Sequence, residues 1–391
     1  MSVKAFPIPN IDFIRQKARY GSTTYKFNDY LIKFVTMNKK VGNILKYGLS
    51  ILLAVVLLYF AFRKVDWNDF WAALKACRWE FVLLSTFFGL CGFYLRALRW
   101  KEVLLPIDPT TRTLTCFNGV NIGYAVNMVL PRVGEVLRCT YITAHSKKVK
   151  DPETGEEHHL ATFDKALGTA VLERSVDVVM LGVLLVVFLF FTWDKYGGFF
   201  VEKIFGAAAG RFTWVNLAIV VFLFFAALLS GWTVIRFANR WKPLGKIKDF
   251  CRGLWQGFVS CLRMRRAWWF FLLTILLWGC YWMMSVTILW AVQGIDTSTV
   301  SAGLASAVNT IQSLNLTDAM FLMLAGALSS IVPVPGGFGA FHFIVAAAVS
   351  YVYGLPFEFG IIFATLSHES QELNQLVWGG ISFVIEQFRK D

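Results

Sequence analysis

The chain has 391 residues, of which 57% are apolar, 16% aromatic and only 16% charged, more apolar surface than one water-soluble core of that size can enclose. That composition excludes an ordinary soluble domain. A net charge of +13 would suggest nucleic acid in a soluble protein, but here Lys and Arg gather in loops between apolar runs, a pattern of membrane orientation and headgroup contact. The seven cysteines (Cys77, Cys91, Cys116, Cys139, Cys251, Cys261, Cys280) lack C-x-x-C spacing, so no disulfide framework or zinc site is expected and they read as small buried apolar residues.

In chain order, residues 1–43 are polar and basic (Lys4, Arg15, Lys17, Arg19, Lys26, Lys33, Lys39, Lys40) and belong on the cytoplasmic side. They lack the apolar core and cleavage site of a secretory signal, so the first apolar run, about 44–62, is expected to remain as an anchor. An amphipathic stretch at 67–79 suits the interface, and a second span, about 81–95, ends in Arg96, Arg99, Trp100 and Lys101. Residues 113–144 are apolar but interrupted, and they lead into the polar loop HSKKVKDPETGEEHH. Further spans fall at about 171–191 and 215–234, and residues 236–266, with nine Lys or Arg, read as a cytoplasmic amphipathic segment. The remaining spans are about 267–292 and 359–388.

Between Arg266 and Arg389 there is no Lys or Arg. Were Thr317–Ile331 and Phe338–Tyr353 both full spans, the PVPGG link between them would be a cytoplasmic loop without a cation, against the positive-inside bias. Arms of 15 or 16 residues are also short at ~1.5 Å rise per residue. A re-entrant loop fits better. The expected fold is therefore an all-α polytopic membrane protein: a transmembrane domain over 44–388 with about six spanning helices and two re-entrant hairpins, about 113–144 and 316–353. Opposed broken hairpins suggest an inverted repeat with tips meeting near the midplane, where transporters place substrate, although internal sequence identity is weak.

The breaks themselves carry the chemistry. Pro333, Pro335, Gly336, Gly337 and Gly339 stop a helix and restart it, and broken backbone at membrane depth needs protein or a wet cavity around it. The restart could present N–H groups to a phosphate or carboxylate, or the segment is a tight turn between packed helices. The first break, from Asn127 through Pro131, Arg132, Gly134 and Glu135 to Arg138, places ionisable groups inside an apolar segment. Such groups are expensive and are functional candidates by default. Arg132 and Arg138 could grip a phosphate with Glu135 orienting one of them; a structural ion pair is the alternative. Glu173, Arg174 and Asp177 open the next span; Glu173 and Asp177 share one helix face and either partner Arg132 and Arg138 or sit in the interface. His342, His368 and Glu369 could couple proton movement to transport, though structural histidines are commoner. His158-His159 reads as solvated. Asp66 and Asp69 fit either an acidic glycosyltransferase-like motif or a helix cap.

Taken together, Arg96-x-x-Arg99-Trp100, Asn127…Pro131-Arg132-x-Gly134-Glu135-x-x-Arg138, Glu173-Arg174-x-x-Asp177 and Pro333-x-Pro335-Gly336-Gly337-x-Gly339 make the chain resemble the transmembrane, flippase-like domain of lysylphosphatidylglycerol synthases and its stand-alone relatives. The resemblance covers about 44–388. It implies movement of a lipid between leaflets, in the best-known members an aminoacylated phospholipid. With no soluble domain after Asp391, the aminoacyl-transfer activity is not implied. The chain also departs at His342 and His368, near which relatives often carry an acidic residue and an arginine, so the charge preference there does not transfer.

The resulting expectation is a non-enzymatic lipid flippase or transporter of the bacterial inner membrane with both termini cytoplasmic. Asn127, Arg132, Glu135, Arg138, Gly336, Gly337 and Gly339 would bind the headgroup, and Arg96, Arg99, Pro131, Glu173, Arg174, Asp177, Pro333 and Pro335 would support or gate. No metal, cofactor or nucleic acid is expected; the partner is a phospholipid or lipid-linked molecule, with a homo-oligomer left open. The competing readings are a membrane-embedded glycosyl- or phosphotransferase acting on lipid, and a small-solute transporter.

Overall fold

The computed structural model describes residues 41–130, 132–150, 157–206, 252–257 and 264–388. The basic leader, the expected span at 215–234, most of the amphipathic segment at 236–266, and Pro131 lie outside the described residues.

The described chain is almost wholly helical: α1 Val41–Phe62, α2 Trp67–Ala76, α3 Trp79–Leu104, α4 Thr113–Val129, α5 Val133–His145, α6 Phe163–Gly198 continued by a π-helical turn Phe199–Phe205, α7 Ala267–Gln293, α8 Ala302–Ile311, α9 Leu316–Leu328, α10 Ala340–Tyr353 and α11 Phe357–Phe388. Part of the loop expected to be simply polar pairs as two short antiparallel strands, β1 Lys148–Lys150 and β2 Glu157–His159. Four helices are long and apolar enough to cross a bilayer, or up to six if α1 with α2 (bent by 89°) and α8 with α9 (bent by 109°) each count as one broken span. The protein is an all-α polytopic membrane protein.

Two of these lengths differ from the sequence reading. With the turn at Pro335–Gly337 in line, the second arm becomes a stretch of 19 residues, Pro335–Tyr353, that meets the length for a span. Conversely α11 is 32 residues long but is not among the candidate spans, because Glu358, His368, Glu369, Glu372 and Glu386 interrupt its apolar surface. Length alone therefore does not separate re-entrant arm from span here.

Packing follows small residues. In the first hairpin α4 and α5 approach so closely that a Cβ on Gly123 would lie 2.9 Å from the Gly134 carbonyl oxygen. Asn127 Oδ1 then accepts from the Gly134 N–H at 2.8 Å, satisfying one of the free donors that begin α5. In the second hairpin Gly336, Gly337 and Gly339 all have positive φ (55°, 81° and 79°), a conformation costly for other residues. The Pro335–Gly337 turn lies against α1 and α4, and Val334 and Ala340 form a small apolar cluster with Ala54 of α1. The main apolar core joins α1 through α3 and α6 through α11, with α3 and α7 packed along each other.

A candidate headgroup site at the first hairpin

Helix α3 carries Arg96 and Arg99 one turn apart, α5 carries Glu135 and Arg138, and α6 carries Glu173, Arg174 and Asp177. The spacing of three or four residues in each helix puts each set on one face, and the three faces meet. Glu173, fully buried, accepts from Arg96 at 2.9 Å, Arg99 at 3.0 Å and Arg138 at 3.0 Å. Asp177 takes Arg96 at 2.9 Å and Arg99 at 2.6 Å. Glu135 bridges Arg138 (2.6 Å) and Arg174, whose Nε donates at 3.1 Å. Tyr281 Oη accepts from Arg96 at 2.8 Å, and the Arg138 guanidinium lies 4.6 Å from the Trp100 ring centroid.

Among the described residues four arginines thus face three carboxylates, which leaves one positive charge uncompensated there. Arg132 adds another. It caps α5 in the left-handed conformation, φ 66°, the only non-glycine residue with positive φ among those described. Its side chain is exposed, and it forms no ion pair among the described residues. Arg138, expected beside it as a second phosphate ligand, is instead held between two carboxylates. Glu173 and Asp177, expected either to reach Arg132 and Arg138 or to sit in the interface, pair with Arg96, Arg99 and, for Glu173, Arg138; neither pairs with Arg132.

Two polar residues of α4 were missed by the sequence reading. The Asn118 and Asn121 side chains are fully buried and make no hydrogen bond among the described residues. Buried amides without partners are uncommon, and their three-residue spacing within an apolar helix was the available signal. Beside this region Leu90, Cys91, Tyr94, Leu95, Phe117 and Trp378 line an apolar groove of about 490 Å³ between α3, α4 and α11. Tyr94 and Leu95 immediately precede Arg96 on α3.

The second break is differently built. His368 Nε2 donates to the Gly336 carbonyl at 2.8 Å, and His368 Nδ1 and His342 Nε2 each lie 3.2 Å from Glu369 Oε1. A Cβ on Gly337 would lie 3.4 Å from His368 Nε2. Gly339, expected to line the headgroup site, is buried against α1, where a Cβ would come within 2.7 Å of Leu57 Cβ and the Leu58 nitrogen. Pro335 is buried and Pro333 exposed. The possible acidic enzyme motif lies elsewhere: Asp66 caps α2, accepting from Asn68 N at 2.8 Å, and Asp69 accepts from Ser301.

Other buried carboxylates brace the bundle. Asp318 accepts from Lys195 (2.6 Å), Tyr196 (2.7 Å) and Tyr353 (3.0 Å), and Glu386 from Tyr141 (2.6 Å), with His145 Nε2 at 2.7 Å. In the loop before α4, Asp108 Oδ2 accepts from the Ser146 hydroxyl (2.6 Å) and Lys147 N (3.0 Å). Burial alone would raise its carboxyl, but these bonds and those from Thr110 outweigh it and hold Asp108 below the ordinary carboxylate range.

Fold and site define a polytopic α-helical membrane protein with a buried, net-positive arginine–carboxylate network at a helix hairpin. Residues 47–377 match the family described as the lysylphosphatidylglycerol synthase TM region, and the chain belongs to that family, which ties it to membrane lipid. No curated protein and no solved structure matches the chain.

Proposed function

We propose that the protein moves a phospholipid or lipid-linked molecule between leaflets, its headgroup phosphate engaging Arg132 at the first hairpin. The observation that carries this reading is the excess positive charge there: a compensated network would be a structural brace, whereas an arginine with no ion pair among the described residues, beside a net-positive cluster, is a place for an anion. Arg138, Glu135 and Arg174 then set the hairpin's shape, while Asn118 and Asn121 offer donors and acceptors to a polar headgroup. The apolar groove beside Arg96 suits an acyl chain. In this reading both hairpins are re-entrant halves of an inverted repeat, both termini are cytoplasmic in a bacterial inner membrane, and no covalent chemistry is performed on the lipid.

The test is leaflet exchange of headgroup-labelled phospholipids in reconstituted vesicles. Arg132→Gln, which breaks no pair, is expected to slow exchange at least about tenfold with unchanged thermal stability. Wild-type exchange rates in this variant, across anionic and zwitterionic headgroups, would remove the site assignment. A new covalent lipid product in the same vesicles would instead favour a lipid-modifying enzyme.

A further inference from the structure

At the second break, a carbonyl oxygen can only accept, so the 2.8 Å contact between His368 Nε2 and Gly336 O puts the ring proton on Nε2. A neutral His368 therefore turns the Nδ1 lone pair toward Glu369 Oε1, 3.2 Å away. Lone pair against carboxylate is repulsive unless a cation lies between them. His342 Nε2 is 3.2 Å from the same oxygen, yet neither ring nitrogen of this histidine, 1% exposed, makes an aligned hydrogen bond among the described residues. No Lys or Arg occurs between residues 266 and 389, and none reaches this cluster from elsewhere in the described chain.

We infer that His342 Nε2, His368 Nδ1 and Glu369 Oε1 hold a divalent transition-metal ion of the zinc class. The three residues each bring one ligand atom within 4.8 Å of the others, and the two 3.2 Å separations of His342 Nε2 and His368 Nδ1 from Glu369 Oε1 are close to the roughly 3.3 Å edge of a tetrahedron with bonds of about 2.0–2.1 Å. The Gly336 carbonyl acts as the outer partner that fixes the tautomer of a ligating histidine. Glu369, 40% exposed, gives the ion a way in. Three ligands leave one position for water or an oxygen anion. The ion ties α10 to α11 across the break.

The test uses the full chain, tag removed, purified in detergent without chelator and dialysed against Zn²⁺ or Co²⁺. One ion per chain is expected, with visible cobalt bands of a four-coordinate site. Glu369→Gln, at a part-exposed position, and His342→Ala should each weaken binding at least about 100-fold, while His158→Ala/His159→Ala leaves the stoichiometry unchanged. Failure of the wild-type chain to bind either ion, or loss of the ion only in the His158/His159 variant, overturns the site and leaves a proton as the shared cation. Should His342→Ala not fold, Glu369→Gln and the wild-type stoichiometry decide the matter.

Discussion

Replacing Glu173 by glutamine removes the one charge shared by Arg96, Arg99 and Arg138 while keeping the side chain's volume. Each of those pairs, at about 3 Å, is worth roughly 5–6 kcal/mol of attraction at an effective dielectric of 20, before desolvation and the mutual repulsion of the arginines are subtracted. The net cost is smaller because no arginine is left alone: Asp177 still faces Arg96 and Arg99, and Glu135 still faces Arg138. Breaking a buried pair typically costs about 3–5 kcal/mol, and that range is expected for Glu173→Gln. The assay is reversible unfolding in mixed micelles, backed by the shift in thermal midpoint at a fixed scan rate. A cycle with Arg99→Met should show a coupling of about 1.5–3 kcal/mol, since contacting residues do not add. A loss below about 0.5 kcal/mol, with no coupling to Arg99, would mean that water screens the network, and the account of a dry three-helix junction would fail.

At the first hairpin, Gly134→Ala should lower stability by about 1–3 kcal/mol, because its methyl would meet the Gly123 carbonyl and the Asn127 side chain; a neutral result in the same unfolding assay would show that the hairpin relaxes freely. Asn121→Leu is expected to leave stability unchanged or higher, since it removes an unpartnered buried amide, while leaflet exchange slows; unchanged exchange would assign Asn121 no part in transport. Asp108→Asn should loosen the chain around Ser146 and Lys147 at neutral pH, read by hydrogen exchange. Because the Asp108 carboxyl is depressed in the fold, its contribution is fully present above the unfolded value of about 3.9 and fades as pH falls through the lower folded value. The difference between wild type and Asp108→Asn should vanish on that acid side, and a difference that persisted there would contradict the assignment.

Much of this was visible in the residues themselves. Apolar run length and Pro/Gly placement located the hairpins, the expense of intramembrane charge singled out Arg132, Glu135 and Arg138, helix spacing offered Glu173 and Asp177 as partners, and the family resemblance added Arg96, Arg99 and Arg174. Spacing along a helix says which residues share a face but not which face it meets, so contacts between residues 74 and 81 positions apart, as for Arg99 and Arg96 with α6, were not legible. Asp318 could have been reasoned further. A carboxylate at the start of an apolar helix demands a partner, and with no Lys or Arg after Arg266 until Arg389 the cation had to come from earlier in the chain; Lys195 supplies it. The role of Gly339 was misjudged for a related reason: its positive φ was inferable, but the nearness of α1 is a tertiary fact.

The first break carries free positive charge and the second a cluster of histidine and carboxylate, and α11 touches both hairpins through glycine. A Cβ on Gly379 would meet Asn121 O of α4 at 3.1 Å, and one on Gly360 would come within 2.5 Å of Ala346 Cα of α10. Between these contacts, Gln371 and Asn374 donate to the Ser85 and Thr86 carbonyls of α3 at 3.3 and 3.0 Å, fixing the helix to the arginine-bearing element. Close backbone contacts of this kind have little slack, because packed interiors shift between discrete arrangements rather than deform smoothly. Were the proposed ion to shift α10, α11 would have to absorb the movement, and α11 rests on the helix that carries Asn118, Asn121 and Asn127. Polar positions in α11 thus follow from its place in the bundle: a helix that touches both breaks makes hydrogen bonds where a lipid-facing span needs only apolar surface.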